Sequence, residues 1–279
     1  MNKAKINLSI HAPDTTIIHR AGILGLWMTL KQLEVEFPQP KERLGGIWWT
    51  LTNDSISIDW QGEDLEVLDW LLKQSFRLDD RGIIQLTGLQ RKSIPLENKI
   101  HLHQTISATL LQYNGSVQPL KKGYFESMDV QVGNLKLSLS YKPLTSYFYQ
   151  NFASELCEKK SKQLKQNHYI PIVSRLYPGA IVQHDLIRAK NQCREKLEYA
   201  FALLFVPIAS QFLVLSEEIK KQISSEKSHP TEYLMIIPET TNPETVSLYF
   251  GFLKNKSYDK MMTISLIDNN TQVNILIFN

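Results

Sequence analysis

Cysteine is scarce in this sequence. Its 279 residues include two cysteines, Cys157 and Cys193, which lie far apart and belong to no Cys-x-x-Cys pair. Such sparse use of cysteine is typical of a reducing compartment, where thiols stay free. A zinc site would need histidines to converge on these cysteines from distant segments, so the sequence predicts no metal centre.

The sequence also lacks a hydrophobic run long enough to span a membrane. The N-terminal stretch MNKAKINLSIHAPD has no apolar core of the kind that a secretory signal needs. The most apolar segment, residues 200–215, contains Pro207 and Gln211, and it falls short of the roughly 20 residues of a membrane span. We therefore predict a buried helix broken or kinked at Pro207, in a cytoplasmic protein without membrane contact.

Motifs for catalysis or nucleotide binding are absent from the sequence. There is no GxGxxG or Walker-type phosphate loop and no GxSxG motif. Gly22 and Gly25 lie inside a hydrophobic helical pattern, and the paired acids at 79–80 and 217–218 fall at a turn and a helix end. The sequence thus predicts no catalytic residues and no cofactor, and indicates a binding or assembly subunit.

The histidines show no clear chemical grouping. His101 and His103 would share a face in a strand but not in a helix, and the surrounding pattern favours a helix. His19 follows Asp14 and Thr15, so the three could form an acid–base group or simply a capping loop. We favour capping, with Asp14 or Thr15 as the N-cap.

Hydrophobic patterning predicts an α+β fold of mixed antiparallel hairpins packed with helices in two subdomains. The first is an N-terminal α+β domain over residues 1–148, and the second is another α+β domain, or a continuation of the first, over residues 149–279. Gly22 and Gly25, within the first helix, indicate that another element packs closely against it. Helices are expected after Thr15 and over 63–76, 96–113, 150–166 and 188–206. Strands are expected at 5–10, 47–51, 55–60, 83–86, on both sides of a turn at 133–134, and at 233–237, 262–268 and 273–278.

Charge is distributed unevenly along the chain, although the net charge is only +3. Residues 54–80 carry eight acidic side chains and two basic ones, whereas 81–142 carry eight basic against three acidic and 155–196 carry nine against four. Basic segments of this size attract phosphates in a salt-dependent way, although a solvated lysine-rich face has the same composition. The separation favours contact with protein and with nucleic acid on different faces.

Three groups of residues are candidates for nucleic-acid binding. Lysines in the predicted polar helix would form a basic flank for phosphate contact, or a plain exposed face. Lysines interleaved with aromatic residues could hold phosphates while the rings stack on bases, unless those rings belong to the core. Polar residues at the start of the first helix could seat a phosphate, or only cap the helix. In that order, the groups are Lys159, Lys160, Lys162 and Lys165; Lys121, Lys122 and Lys142, with Tyr124, Tyr141 and Tyr147–Tyr149; and Thr15, Thr16 and Arg20.

Three stretches resemble a known family: LSIHAPDTTIIHRAGILGLWMTL, then LTNDSISIDW, then the pair YKPLTSYFYQNF and YLMIIPET. Together they look like the large subunit of type I CRISPR Cascade effector complexes, MYXAN subtype. The first stretch is the most specific, with a strand, a His-Ala-Pro break and an HRAG helix start in fixed order. Large subunits of this family are often longer or split in two, so this chain could be one part.

The resemblance implies a role without bond chemistry. A Cascade large subunit sits beside the subunit that holds the 5′ end of the CRISPR RNA, recognises a protospacer-adjacent motif in double-stranded DNA and helps R-loop formation. Guide pairing reads the remaining sequence. The implied partners are the guide 5′-end-binding, backbone and small subunits, the CRISPR RNA, target DNA, and a helicase-nuclease or transposition proteins. A divergent nuclease and a scaffold that binds only protein remain alternatives.

Overall fold

The computed structural model describes residues 4–89, 96–111, 125–132, 135–172, 176, 194–214, 233–238 and 273–278. The fold is α+β, as expected, with helices packed on small antiparallel sheets. Buried side chains from both sides of the predicted division at 148/149 share one main core cluster. The division into two subdomains stays a prediction.

The described elements alternate between helices and short strands. The helices are α1 (Ile17–Glu36), α2 (Asp64–Ser75), α3 (Leu96–Thr109), α4 (Ala153–Leu156), α5 (Leu197–Leu203) and α6 (Val206–Ala209). The strands are β1 (Ile6–Ser9), β2 (Trp48–Leu51), β3 (Ser55–Asp59), β4 (Phe76–Leu78), β5 (Ile84–Leu86), β6 (Glu126–Val132), β7 (Leu135–Tyr141), β8 (Tyr169–Pro171), β9 (Arg194–Lys196), β10 (Gln211–Val214), β11 (Tyr233–Pro238) and β12 (Val273–Phe278). Short 3₁₀ turns occupy Pro40–Glu42, Leu44–Gly46, Thr87–Leu89 and Phe148–Asn151.

The first sheet has the strand order β1–β3–β2, and both pairs are antiparallel. The predicted hairpin of β2 and β3 is confirmed. In the central strand, Ile56 and Ile58 are buried whereas Ser55 and Ser57 are half-exposed, because successive side chains of a strand point to opposite faces.

Helix α1 lies at the centre of the core. Thirteen of its 20 residues are buried, so the helix is enclosed on most sides instead of along one stripe. A Cβ at Gly22 would collide with the carbonyl oxygen of Ala202, and one at Gly25 with the carbonyl oxygen of Phe205. The close contact predicted from the two glycines is confirmed, and its partners are α5 and α6.

Residues 200–210 of the apolar segment are buried, and the helix there is interrupted, as predicted, but the break precedes Pro207. Helix α5 ends at Leu203, and Pro207 lies in the first turn of α6, where a missing N–H does no harm. Of the helix predicted over 188–206, residues 188–193 lie outside the described residues, 194–196 form β9, and the helix begins at Leu197. Among the helices of the described residues, none has the length and hydropathy of a membrane span.

Helix α3 is fastened by a buried histidine. The backbone N–H of Ile84 donates to Nδ1 of His103 over 3.2 Å, so Nε2 carries the proton and donates to the carbonyl oxygen of Lys142 over 2.8 Å. Burial lowers the pKa of His103, which keeps the ring neutral. His103 therefore links α3 to β5 and to the end of β7, and the helical expectation for His101 and His103 is confirmed.

The last described sheet has the order β10–β11–β12, with both pairs antiparallel. Strand β11 is central, as its apolar sequence predicts, and Met235 and Ile237 reach the main core. The predicted strand at 273–278 is confirmed. The one predicted at 262–268 lies outside the described residues.

Candidate nucleic-acid interface

Residues 158–168, here called the lysine loop, connect α4 to β8. The helix predicted over 150–166 is wrong, because helical turns end at Leu156 and the lysine loop is irregular. Lys, Gln, Ser and Glu are all compatible with a helix, but in this loop they supply no continuous apolar stripe to bury. Tertiary contacts usually decide whether a short helix forms.

Backbone geometry gives the lysine loop a defined shape. Cys157 and Leu164 form an antiparallel bridge that closes its base. Lys162 and Asn167 have φ angles of 57° and 62°, a left-handed conformation that a regular right-handed helix does not contain. The four lysines therefore project from a folded-back loop and not from one helix flank.

Asp64, the first residue of α2, anchors this loop. Its Oδ2 accepts the backbone N–H of Leu164 over 2.7 Å, while Oδ1 accepts from Nζ of Lys5 over 2.7 Å and from Nε1 of Trp60 over 2.8 Å. Burial alone would raise the pKa of Asp64, but the three hydrogen bonds outweigh it and the pKa is lowered. One ionised carboxylate thus joins the lysine loop to β1 and α2.

Two of the four lysines are used within the molecule. Nζ of Lys162 lies 3.2 Å from a carboxylate oxygen of Glu63, and Nζ of Lys165 donates to the carbonyl oxygen of Glu155 over 2.8 Å. The acidic start of α2 and the second basic block are therefore in contact here. The expectation that the two lie on separate faces is wrong at this point.

Lys159 and Lys160 are the outward-facing lysines of the loop. Both are exposed, and within the described part of the chain neither forms an ion pair. Their charges are available to a phosphate, while the loop that carries them is held in place by Asp64.

Strands β8 and β9 form a two-stranded antiparallel ribbon, here called the Tyr169 ribbon, directly after the lysine loop. Tyr169 has 57% of its surface exposed, and Arg194 and Lys196 on the other strand are exposed too. The hydrophobic pattern of the sequence does not reveal this group. Each strand has only three residues, and the central paired residues, Ile170 and Glu195, are 25 positions apart in the chain. No hairpin pattern therefore marks the ribbon.

The start of α1 differs in detail from the prediction. Thr16, and not Asp14 or Thr15, is the N-cap. Thr15 is buried, and its hydroxyl donates to the carbonyl oxygens of Ile10 and Ala12 over 3.1 and 2.6 Å. Thr15 is consequently a structural residue of the preceding turn, whereas the side chain of Thr16 is exposed.

His19 serves the cap, which was the favoured interpretation. Its Nδ1 accepts the backbone N–H of Thr16 over 3.2 Å, and the backbone N–H of His19 donates to the Thr16 hydroxyl over 3.4 Å. Nε2 then carries the proton and faces a Glu195 carboxylate oxygen at 3.4 Å, while the ring stacks on Tyr199. Burial lowers the pKa of His19, although Glu195 opposes this effect.

An ion pair connects the Tyr169 ribbon to the start of α1. Nζ of Lys196 lies 2.7 Å from a carboxylate oxygen of Asp14, and Arg20 is half-buried in the first turn of the helix. Together with the contact of His19 and Glu195, this ion pair brings the residues on both sides of Thr16 against the Tyr169 ribbon.

The aromatic candidates near Lys142 belong to the core. Tyr141, Tyr147 and Tyr149 are each at most 2% exposed, and Phe148 packs against the same core. The burial of the three tyrosines leaves no ring face for a base and agrees with the alternative that these rings belong to the core. Lys142 itself is half-buried at the end of β7. Lys121, Lys122 and Tyr124 lie outside the described residues.

The described residues contain little reactive chemistry. Cys157 is a buried free thiol, and burial raises its pKa to about 11, which leaves it protonated and unreactive at neutral pH. Cys193 lies outside the described residues. Nowhere in the described ranges do three His, Cys, Asp or Glu side chains converge as a metal site would require.

Comparison with known families gives one assignment. No curated protein matches the sequence. The family model that matches is the DevT N-terminal domain, over residues 7–204. This range includes the first sheet, α1, α2, the lysine loop and the Tyr169 ribbon, and it ends just after α5. Because the match extends over more than two thirds of the sequence, the chain belongs to the DevT N-terminal domain family.

Proposed function

We propose that this chain is the non-catalytic large subunit of a CRISPR RNA-guided Cascade complex, MYXAN subtype. It recognises the protospacer-adjacent motif in duplex DNA and helps R-loop formation, for antiviral interference or RNA-guided transposition. It acts in the cytoplasm with the other Cascade subunits and the CRISPR RNA. The sequence resemblance supports the assembly, and the lysine loop supports the contact with DNA.

The observation that carries the DNA contact is the pair Lys159 and Lys160. They are exposed on a loop whose position is set by Asp64, so a phosphate can bind without first ordering the backbone around it. A protein that neutralises phosphates releases condensed counterions, and its affinity then falls steeply with salt. Lys162 and Lys165, which already have partners in the protein, contribute less.

The start of α1 supplies a second contact for the same DNA. Thr16 is exposed at the positive end of a 20-residue helix, and Arg20 lies one turn further on. Backbone dipoles favour an anion at this position. If Arg20→Ala leaves both target affinity and motif preference unchanged, this contact is not part of the DNA site.

The central test compares two double variants in duplex-DNA titrations at several salt concentrations. Replacing Lys159 and Lys160 by Ala should weaken binding and make the slope of log affinity against log salt shallower by about 1.8, since each lost phosphate contact accounts for about 0.9. Lys41→Ala with Lys73→Ala removes the same charge from exposed positions elsewhere and should leave the slope unchanged. Equal slopes for both double variants would remove the lysine loop from the proposal.

The assembly is tested by co-purification. The tagged chain should retain a short RNA of repeat-derived sequence together with the other Cascade subunits, and DNA crosslinks should map to the chain within that complex. A complex in which the chain crosslinks only to protein would indicate a scaffold. Metal-dependent cleavage of DNA or RNA by the purified chain would instead indicate a nuclease and would contradict the proposed role.

A further inference from the structure

We infer that the exposed face of the Tyr169 ribbon binds single-stranded DNA, with a base stacked on the ring of Tyr169 and an adjacent phosphate held by Arg194. The inference rests on the proposed function, because R-loop formation leaves one DNA strand unpaired.

The register of the ribbon brings these residues to one face. Tyr169 pairs with Lys196, and Pro171 pairs with Arg194; all four are exposed. In an antiparallel pair, residues directly opposite each other point to the same side, and diagonal neighbours are about 7–8 Å apart, within reach of long side chains. The Arg194 guanidinium can thus lie beside the Tyr169 ring.

The charge on this face is positive, and it comes from one cation that pairs with an acidic side chain of the protein and one that is exposed. Lys196 is matched by Asp14 at 2.7 Å, and Glu195 points to the other face, toward His19 at 3.4 Å. Arg194 is exposed, and no ion pair joins it to any other described residue. Arg194 is therefore the cation of the ribbon that an incoming phosphate meets.

An exposed aromatic ring beside a free cation distinguishes among anionic partners. In a duplex the faces of the bases are covered by their neighbours, so a protruding ring has no base to stack on. An acidic peptide would satisfy Arg194 but would leave the ring uncovered. Single-stranded nucleic acid satisfies both groups, because its bases stack on aromatic side chains while basic residues follow the backbone.

The lysine loop extends the same surface. Four peptide units separate Lys165 from Tyr169, which limits their Cα distance to about 14 Å. A strand that stacks on Tyr169 therefore passes close to the C-terminal end of the lysine loop, and the outward-facing Lys159 and Lys160 lie further along the same loop. The proposed duplex contact and the single-strand contact thus belong to neighbouring segments of the chain.

Binding of the full-length chain to oligothymidylate, measured by fluorescence anisotropy, tests the inference. Tyr169→Ala should weaken binding about 5- to 10-fold, as expected for the loss of one stacked base, whereas Tyr169→Phe should bind like wild type. Phe125→Ala, at another exposed aromatic position with 52% of its surface exposed, should have no effect. Arg194→Ala should weaken binding and reduce its salt dependence.

Photo-crosslinking gives an independent readout. An oligothymidylate carrying 5-bromodeoxyuridine should crosslink to Tyr169, and the crosslink should be lost in the presence of unlabelled single strand but not of duplex. Unchanged affinity in Tyr169→Ala, crosslinks elsewhere only, or tighter Tyr169-dependent binding of oligouridylate would each overturn the assignment to single-stranded DNA.

The inference and the proposed function fail in different ways. If the chain assembles with guide RNA and the other subunits but Tyr169→Ala binds oligothymidylate normally, the inference alone is wrong. If oligothymidylate binding depends on Tyr169 and Arg194 while no guide RNA complex forms, the inference stands as a binding property and the assembly is wrong.

Discussion

Helix α1 and the lysine loop are held in the molecule by opposite means. The backbone of α1 touches the backbones of α5 and α6 through Gly22 and Gly25, inside the main core. The lysine loop is held at the surface by a few polar contacts, which include Asp64 on the backbone of Leu164 and Glu63 on the side chain of Lys162. A close-packed contact cannot yield without loss of the fold, whereas a polar anchor can be released locally.

The largest expected effect is that of Gly25→Ala. The added methyl group would meet the carbonyl oxygen of Phe205, and backbone cannot move aside as a flexible side chain can. We expect a loss of about 3 kcal/mol in the free energy of unfolding, measured by urea denaturation.

Gly46→Ala is the matched control, because a Cβ there meets nothing, although φ is 63°. This variant should lose only about 1 kcal/mol, the cost of a left-handed conformation. Equal losses for the two variants would show that the contact between α1 and α6 is looser than described.

Asp64→Ala should have a smaller and more local effect. It removes the acceptor of three hydrogen bonds, and we expect a loss of about 2 kcal/mol, with faster hydrogen exchange in the lysine loop. Asp69→Ala in the same helix breaks a surface ion pair with Lys73 and should lose at most about 0.5 kcal/mol. Uniformly faster exchange throughout the core would contradict a local anchor.

Mild acid should weaken the protein through its two buried histidines. The pKa values of His19 and His103 are lowered by burial, so the unfolded chain binds protons first as pH falls. Stability then declines with decreasing pH from about 7 until the folded-state pKa values are reached. Urea denaturation at a series of pH values should show this slope, and the slope should flatten in His103→Gln.

The smallest expected effect is on the reactivity of the Cys157 thiol, which reports whether Asp64 holds the lysine loop in place. In a Cys193→Ser background, Cys157 should react slowly with a thiol reagent, because it is buried with a pKa of about 11. Adding Asp64→Ala should accelerate labelling without unfolding the protein. A rate that follows global unfolding in both variants would mean that the loop does not open on its own.

The core was the more predictable region. The apolar pattern and two internal glycines of α1 gave a buried helix under close contact, and the hairpin of β2 and β3 followed from alternating residues around Asn53 and Asp54. These signals are local, since each is contained within one element and its periodicity. Which element packs on the glycines could not be predicted, because α5 and α6 lie far away in the sequence.

The surface candidates were less predictable, because distant contacts decide them. The helix predicted over 150–166 is absent, since Asp64 binds Leu164 across 100 positions and competes with any local helix. The short β4 strand continues directly from α2, so nothing in the pattern separated them. The sequence left open whether the tyrosines beside Lys142 stack on bases or belong to the core, and they are buried, whereas Tyr169, which the sequence did not distinguish, is exposed.

The contact between α1 and the α5–α6 segment also has a consequence for the order of events during synthesis. Helix α1 is complete at Glu36, but its partner begins only at Leu197. At about 5–20 residues per second, the ribosome adds the roughly 160 intervening residues in about 10–30 s. For that interval the largely buried helix α1 has no partner for its glycine face, so a nascent chain stalled before Leu197 should be a substrate for holding chaperones, and one stalled well beyond Ala209 should not.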